Sequence, residues 1–255
     1  MKFLGIIPSR YASTRFPGKP LADMDGKSMI QRVYEQVQAT VNDLYVATDD
    51  VRIANAVKKF GGNVIITSEE HKSGTDRCYE ASCIAGDGFD AVINIQGDEP
   101  FIQPEQIELL KSCFSEPGTQ IATLVKPFEK DGNFEQTIFN PNIPKVVFNS
   151  QYEAMYFSRS IIPYIRGKEY TEWLHTHTFY KHIGLYAYRA DILREIASLS
   201  QSSLEIAESL EQLRWLQSGY KIKVAVTHQE TIGIDTPDDM AKALEYLHSR
   251  SSTAK

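Results

Sequence analysis

Short apolar runs rich in β-branched side chains recur along the first half of the chain. They lie at 3–7, 44–48, 64–67, 91–95 and 121–125. Between them are segments with apolar residues at i, i+3, i+4 and i+7, as at 30–37, and Pro104 opens another such segment. Repeated alternation of strands and helices is typical of βαβ units. The pattern therefore predicts an α/β fold with a mostly parallel central sheet flanked by helices.

The alternation stops after residue 125. Proline, asparagine and glycine interrupt the chain from 126 to 163, and two apolar runs at 145–148 and 151–157 flank Asn149 and Ser150. This arrangement predicts an antiparallel hairpin. Helical spacing returns at 204–217, a strand follows at 221–226, and a closing helix is expected at 237–248. We predict one domain over residues 1–255, with an antiparallel insertion at about 126–188.

Composition excludes several classes of protein. Hydrophobic residues make up 42% and charged residues 24% of the 255, which excludes a disordered chain. The net charge of −6 argues against partners such as nucleic acid or a membrane surface, because both need a basic footprint. Three cysteines without metal-ligand spacing indicate reduced thiols, and no apolar stretch is long enough for a membrane span. We expect a cytoplasmic protein.

A cationic loop follows the first predicted strand. Between Pro8 and Pro20 it holds Arg10, Arg15 and Lys19 and no acidic residue. Open α/β sheets bind ligands at the carboxyl ends of their strands, and arginine and lysine are the usual partners of phosphate. The loop is therefore interpreted as a phosphate-binding loop; the alternative is a solvated basic loop.

Two carboxylates follow other apolar runs. Asp98 comes after the fourth run and Asp235 after a late run at 232–234, so the two could share one Mg²⁺ with substrate phosphate oxygens. The alternatives are a turn at Asp98 and, for Asp235, an N-cap of the helix opened by Pro237. Ser73 and Arg77 lie at a predicted helix start, where free backbone amides could bind an anion. By itself this position is weak evidence for a binding site.

Several motifs together are more specific. They occupy 10–21, 46–49, 71–77, 96–100, 156–159, 182–186, 210–214 and 235–237, in collinear order over nearly the whole chain. These blocks closely resemble the signature segments of the 3-deoxy-manno-octulosonate (Kdo) cytidylyltransferase family. The cytidylyltransferases of sialic acids carry a different first loop.

The resemblance implies a GT-A-like nucleotidyltransferase fold and the reaction CTP + Kdo → CMP-Kdo + diphosphate, which feeds lipopolysaccharide biosynthesis. It also implies Mg²⁺ as cofactor and a homodimer, with dimerisation and sugar-binding surfaces in the insertion. The alternative substrate is another nonulosonic acid or an amino-octulosonic acid.

The resemblance also implies roles for individual residues. The catalytic residues are expected to be Lys19, Arg10, Arg15, Asp98 and Asp235. The nucleotide is expected to contact Arg10, Ser13, Lys19, Ser73, Arg77 and Gln96. The sugar acid is expected to contact Arg15, Arg159, His182, Tyr186, Glu211 and Gln212. The metal ligands are expected to be Asp98 and Asp235.

Within the predicted helix at 204–217, a polar stripe of Glu208, Glu211, Gln212 and Trp215 is expected on one face, turned toward a pocket. A solvated face is the alternative.

Two other functional classes remain open from the residues. A glycosyltransferase that consumes a nucleotide sugar could use the same sheet, although it would not need the triphosphate-binding cations. A non-catalytic nucleotide sensor would keep the cations and could lose the metal carboxylates.

The hairpin also predicts a homodimer, because strand alternation sends its apolar side chains to both faces. Coverage of the second face by the helix at 204–217 is the alternative.

Overall fold

The computed structural model describes residues 1–13, 15–130 and 137–253, with side chains to residue 249. These residues form two compact units. Unit 1 comprises Met1–Ile107 with Glu230–Lys255, and unit 2 comprises Glu108–Gln229. The single domain with an insertion at about 126–188 stays a prediction.

Unit 1 contains four parallel strands. They are β1 (Phe3–Ser9), β2 (Asp43–Thr48), β3 (Val64–Ile66) and β4 (Ala91–Asn94). Their order is β3-β2-β1-β4, and Gly5 in β1 pairs with Leu44 on one side and Ile93 on the other. The first four apolar runs are therefore strands, as predicted, and the parallel pairing confirms the βαβ interpretation.

The helices of unit 1 are α1 (Met29–Val37), α2 (Val51–Lys59), α3 (Gly74–Ala85) and α9 (Pro237–Thr253). Helix α4 (Pro104–Ser112) begins in unit 1 and ends in unit 2. The apolar stripe of α1 is buried, with Ile30, Val33 and Val37 inaccessible to solvent. The start of α3 is capped by Ser73, whose Oγ accepts a hydrogen bond from the Asp76 amide at 3.1 Å. That cap fixes the loop that enters the helix from β3.

Unit 2 has a mixed sheet. Its strands are β5 (Ile121–Pro127), β6 (Lys145–Phe148), β7 (Ala154–Ser158), β8 (Tyr180–Arg189) and β9 (Ile222–Val226). Strand β5 pairs antiparallel with β8 and parallel with β9, while β6 pairs antiparallel with β7 and β8. The predicted hairpin is confirmed as β6–β7. The second strand begins later than predicted, because Asn149 Oδ1 accepts from the amides of Gln151 and Glu153 and lengthens the turn.

The helices of unit 2 are α5 (Trp173–Thr176), α6 (Ala190–Ala197), α7 (Ser203–Glu208) and α8 (Gln212–Gln217). The single helix predicted at 204–217 is wrong, because the left-handed backbone of Ser209 (φ 51°) ends α7. Arg159 accounts for this break, since its Nε donates to the carbonyl of Glu208 at 2.6 Å and its guanidinium also contacts the carbonyl of Ser209.

The predicted polar stripe is wrong for the same reason. Glu208 ends α7 and Glu211 caps α8, so Glu208 does not share a helix face with Gln212 and Trp215. Trp215 is buried, with its ring edge against Tyr186, and does not belong to a polar face.

The fold class is α/β with a mostly parallel central sheet flanked by helices, as predicted, and the antiparallel strands lie in unit 2. Among the described residues, none of the helices has the length and apolarity needed to cross a membrane. All three cysteines are free.

Candidate active site

A cavity of about 390 Å³ lies in unit 1, beside the residues that follow β1 and β4. Among the residues that line it are Arg10, Ser13, Arg15, Lys19, Ser73, Arg77, Gln96, Asp98 and Asp235. This set includes every residue predicted to act in catalysis, to bind the nucleotide or to hold the metal. The structure therefore brings these side chains together, and their individual roles stay predictions.

Lys19 occupies the centre of a cluster of oxygen atoms. Its Nζ lies 2.7 Å from Asp98 Oδ2, 2.8 Å from the carbonyl oxygen of Ile234 and 3.3 Å from Asp235 Oδ1. Arg15 adds a second cation, with its guanidinium 3.1 Å from Asp235 Oδ1. Cations and carboxylates thus neutralise one another at one point of the cavity wall.

The backbone before Lys19 explains how the loop turns inward. Gly18 has φ 74°, in the left-handed region that favours glycine, and its amide donates to the carbonyl of Tyr11 at 3.0 Å. A Cβ at Gly18 would come within 3.0 Å of the Tyr11 ring. This turn leads into a short 3₁₀ helix, Lys19–Leu21, and places Lys19 against the carboxylates.

The oxygen cluster suits a hard divalent cation. Three oxygens of Asp98, Ile234 and Asp235 surround one cationic atom, and oxygen ligands of this kind are those that Mg²⁺ prefers. In the part of the chain that the structure describes, no three His, Cys, Asp or Glu side chains group together as a metal site. Mg²⁺ commonly takes one or two carboxylates and completes its shell with water and substrate phosphates, so two carboxylates fit it.

Asp235 is not the cap of α9. Thr236 has that role, because its Oγ1 accepts from the Asp239 amide at 3.2 Å and Asp239 Oδ2 accepts from the Thr236 amide at 2.9 Å. Burial raises the pKa of the Asp239 carboxyl, but hydrogen bonds from the Thr236 hydroxyl (2.9 Å) and from the Asp235 and Thr236 amides outweigh it and hold that pKa below its usual range. The carboxylate of Asp235 is left to face Lys19.

Arg77 lines the cavity but is committed to other protein groups. It is buried, with NH1 2.6 Å from Thr67 Oγ1 and NH2 2.9 Å from Asp49 Oδ2. Its predicted contact with the nucleotide therefore competes with an internal ion pair. Its evident role in this structure is to brace the carboxyl end of β2 against α3.

His71 also lines the cavity, although sequence reasoning gave it no role. Its Nε2 lies 2.5 Å from Glu80 Oε2, which also accepts from the Ser68 amide at 2.8 Å. The hydrogen bond from His71 holds the pKa of Glu80 below its usual range. In the sequence, only the motif at 71–77 points to His71, because its hydrogen-bond partner Glu80 lies nine residues further along the chain.

Unit 2 contains a separate cluster around Thr123 on β5. Thr123 Oγ1 lies 3.0 Å from His182 Nε2, and the rings of His182 and Tyr186 are 5.2 Å apart. The pairing of β8 with β5 shifts register between Thr123 and Leu124, so Tyr186 and Ile183 oppose consecutive residues. This irregularity brings His182 and Tyr186 together on either side of Thr123.

The Thr123 cluster is electrically neutral. Burial lowers the pKa of His182 to about 3 and raises the pKa of Tyr186 well above its usual range. The negative charge of Glu211 raises the pKa of Tyr186 further. Among the described residues, the buried donors Gln212 Nε2 and Trp215 Nε1 have no hydrogen-bond partner. Buried donors without protein partners are expected to bind water or a polar ligand.

Arg159 lies on a second cavity of unit 2, of about 420 Å³, which Tyr164, Tyr170 and Trp173 also line. Of the residues predicted to bind the sugar acid, His182, Tyr186 and Glu211 are thus associated with one another. Arg159 faces this aromatic cavity, and Arg15 lies in the unit 1 cavity.

A cationic loop that follows a parallel strand, with two carboxylates beside it, is typical of a class of α/β enzymes that act on phosphate compounds. The cytidylyltransferase family model matches residues 4–222. The chain is 71% identical to a 3-deoxy-manno-octulosonate cytidylyltransferase of Parabacteroides distasonis, over 98% of this chain and 100% of that one. It is 64% identical to the enzyme of the same name from Bacteroides thetaiotaomicron, over 98% and 100% of the two chains.

A solved structure of a CMP:2-keto-3-deoxy-manno-octonic acid synthetase complexed with CTP matches with a TM-score of 0.88 and 41% identity. The match covers 98% of this chain and 100% of that one. The chain belongs to the cytidylyltransferase family, among the 3-deoxy-manno-octulosonate cytidylyltransferases, and is a nucleotidyltransferase. The resemblance of its motifs is confirmed.

Proposed function

We propose that this protein transfers the cytidylyl group of CTP to Kdo, forming CMP-Kdo and diphosphate. The relatives named for this activity cover nearly the whole chain, and the matching solved structure was complexed with CTP. The observation that carries the proposal is the unit 1 cavity, which collects the cations of the first loop and the carboxylates Asp98 and Asp235. A nucleotide sensor would have no need of those carboxylates.

In the reaction, the anomeric hydroxyl oxygen of Kdo forms a bond to the α-phosphorus of CTP. The bond from that phosphorus to the oxygen between the α- and β-phosphates breaks, and diphosphate leaves with that oxygen. The hydroxyl proton leaves to solvent or to a base. Negative charge builds on the phosphate oxygens, so positioning and electrostatic stabilisation are the main contributions of the protein. Arg10, Arg15 and Lys19 are the cations placed to supply that stabilisation.

We propose Mg²⁺ as the cofactor, held by Asp98 and Asp235. The ion supplies neutralisation of the triphosphate charge when it is bound. Lys19 now donates to both carboxylates, and it can exchange them for phosphate oxygens while remaining in contact with anions.

For the sugar acid, we propose that Arg159 binds the carboxylate and that the Thr123 cluster binds hydroxyl groups. His182 and Tyr186 are held neutral by burial, so they act as hydrogen-bond donors or acceptors rather than as charges. Glu211 and Gln212 at the start of α8 supply further polar groups. Another nonulosonic or amino-octulosonic acid remains the alternative substrate.

The test is diphosphate release in the presence of CTP, Mg²⁺ and Kdo, with each component omitted in turn. We expect diphosphate and CMP-Kdo in equal amounts only in the complete mixture. Product from an amino-octulosonic acid but not from Kdo would establish the alternative substrate. Absence of diphosphate with every sugar acid would overturn the proposal and favour a sensor or a glycosyltransferase.

We also propose that the protein is a cytoplasmic homodimer that supplies lipopolysaccharide biosynthesis. Tyr152 and Met155 of the β6–β7 hairpin are exposed in this chain, and such aromatic and methionine surface is enriched in protein interfaces. The three free cysteines are consistent with a reducing compartment. Light scattering over a dilution series tests the dimer, and a monomer mass at micromolar concentration would contradict it.

A further inference from the structure

Lys145 on β6 is buried completely and has no carboxylate in ion-pair contact among the residues that the structure describes. Its Nζ donates to the carbonyl oxygens of Asn140 and Ile143, both at 2.9 Å, and of Arg159 at 2.6 Å. An ammonium has three donors, and here each has a backbone acceptor. A buried charge is costly unless its hydrogen bonds are satisfied, so this arrangement needs a reason.

Glu208 holds the same segment from the other side. Its Oε1 accepts from Ser158 Oγ at 2.6 Å and its Oε2 accepts from the Arg159 amide at 2.8 Å. The backbone amide of Arg159 is therefore bound by Glu208 and its carbonyl by Lys145. Both contacts involve an ionised side chain, and such hydrogen bonds are stronger than neutral ones.

Among the residues that the structure describes, the guanidinium of Arg159 binds only neutral acceptors. These are the carbonyl oxygens of Glu208 at 2.6 Å, Pro141 at 2.9 Å and Ser209 at 3.3 Å. In the described part of the chain no carboxylate forms an ion pair with it, so its charge is available to an anion. Lys145 also helps to hold the Pro141 acceptor in place, because it binds the carbonyls on either side of Pro141 in the 140–143 loop.

We propose that Lys145 and Glu208 are positioning residues that hold Arg159 at both backbone groups and so present its guanidinium to the carboxylate of the sugar acid. This inference rests on the proposed function. The helix break at Ser209 contributes to the same positioning of Arg159, because it leaves the carbonyls of Glu208 and Ser209 free to accept hydrogen bonds from the guanidinium. The competing explanation is that Lys145 and Glu208 only stabilise the fold around Arg159. In that case their replacement would lower stability and leave the affinity for the sugar acid unchanged.

The experiment compares Glu208→Gln and Lys145→Met with wild type and with Arg159→Ala, by steady-state kinetics in both substrates. We expect each positioning variant to raise KM for Kdo on the order of tenfold, with KM for CTP unchanged. Arg159→Ala should raise KM for Kdo at least as much. Lys221→Met is the matched control, because it removes an exposed lysine of unit 2 that pairs with Glu153, and we expect both KM values to be unchanged.

A fall in thermal stability with KM for Kdo unchanged would overturn the inference, as would an equal rise in both KM values. Glu208→Gln keeps the shape of a half-buried side chain and decides the question if Lys145→Met does not fold. Wild-type protein without activity on Kdo would instead refute the proposed function. In that case a crystal structure of Glu208→Gln still decides the positioning, since an undisplaced Arg159 side chain would overturn it.

Discussion

The unit 1 cavity and the Thr123 cluster of unit 2 hold polar groups in opposite ways. In the cavity, Asp235 and Arg15 are paired while their side chains stay 50% and 64% exposed, and Lys19 is 13% exposed. In the cluster, Tyr186 is buried, His182 is half-buried, and both are kept neutral. One region uses charges, two of them well exposed to solvent, and the other uses neutral dipoles that are mostly withdrawn from solvent.

This difference matches the two ligands that we propose for these regions. The exposed ion pair of Arg15 with Asp235 contributes little free energy, so it can be exchanged for a triphosphate and a metal ion at low cost. Buried polar groups are fixed in orientation and lose much when their partners are removed, which suits recognition of hydroxyl groups at fixed positions. Variants should therefore separate into those that affect phosphate chemistry and those that affect the sugar acid.

The largest effect is expected at the carboxylates. Asp235→Asn should lower kcat by at least about 10³, because the amide cannot neutralise a divalent cation or pair with Lys19. The measurement is kcat at saturating Mg²⁺, with unchanged circular dichroism showing that the fold is intact. Asp238→Asn, an exposed residue in the first turn of α9, is the control and should keep wild-type rates. Near wild-type turnover in Asp235→Asn would remove Asp235 from the metal site.

The next effect is expected at Lys19. Lys19→Ala should lower kcat by about 10², the cost of one lost electrostatic donor, while KM for Kdo changes little. Lys27→Ala removes an exposed lysine that pairs with Glu35 in the same unit, and kinetic parameters should not respond to it. If Lys19→Ala keeps its kcat and loses only affinity for Kdo, the assignment of Lys19 to the nucleotide is wrong.

A smaller effect is expected in the Thr123 cluster. Tyr186→Phe should raise KM for Kdo about tenfold and leave KM for CTP unchanged, because it removes one buried hydroxyl. Tyr188→Phe removes the hydroxyl of a neighbouring buried ring that stacks on Tyr186, and it is the matched control. The division between the two regions fails if Tyr186→Phe affects CTP and not Kdo.

The last expected effect is on stability against pH and not on activity. The pKa of His182 is lowered from 6.5 to about 3 in the folded state, so between these values the unfolded chain binds more protons. Stability from this group is therefore lost as the pH falls below 6.5. Between pH 7.5 and pH 5, urea unfolding should show wild type losing about 2 kcal/mol more than His182→Gln. Equal losses would show that His182 titrates normally.

The residues of the unit 1 cavity could be predicted from the sequence better than those of the Thr123 cluster. The first loop stands out because three cations without an acid occur in a chain of net charge −6, and the strand before it carries a continuous apolar run. The role of Asp235 was ambiguous, although Thr236 and Asp239 have the spacing of a capping box and could have excluded Asp235 as the cap.

In unit 2 the alternation of apolar and polar residues was a weaker signal, for physical reasons. Strand β8 places Lys181 and His182 among apolar residues, and its register shift against β5 interrupts the alternation, so periodicity did not predict it. The break at Ser209 depends on Arg159, which lies 50 residues earlier in the chain. Contacts over such distances carry no local signal, and only the family resemblance indicated Arg159, His182 and Tyr186.

The central claim is that, in the unit 1 cavity, Lys19 exchanges Asp98 and Asp235 for phosphate oxygens when nucleotide and metal ion bind. Mn²⁺ binding, followed by electron paramagnetic resonance, tests this claim most directly. With CTP present, wild-type protein should bind one Mn²⁺ per nucleotide, with hyperfine coupling to phosphorus, and Asp235→Asn should bind it at least tenfold more weakly. Tyr186→Phe should bind Mn²⁺ as wild type does. Equal Mn²⁺ binding by wild type and Asp235→Asn would contradict the account, because the carboxylates that now hold Lys19 would then not be metal ligands.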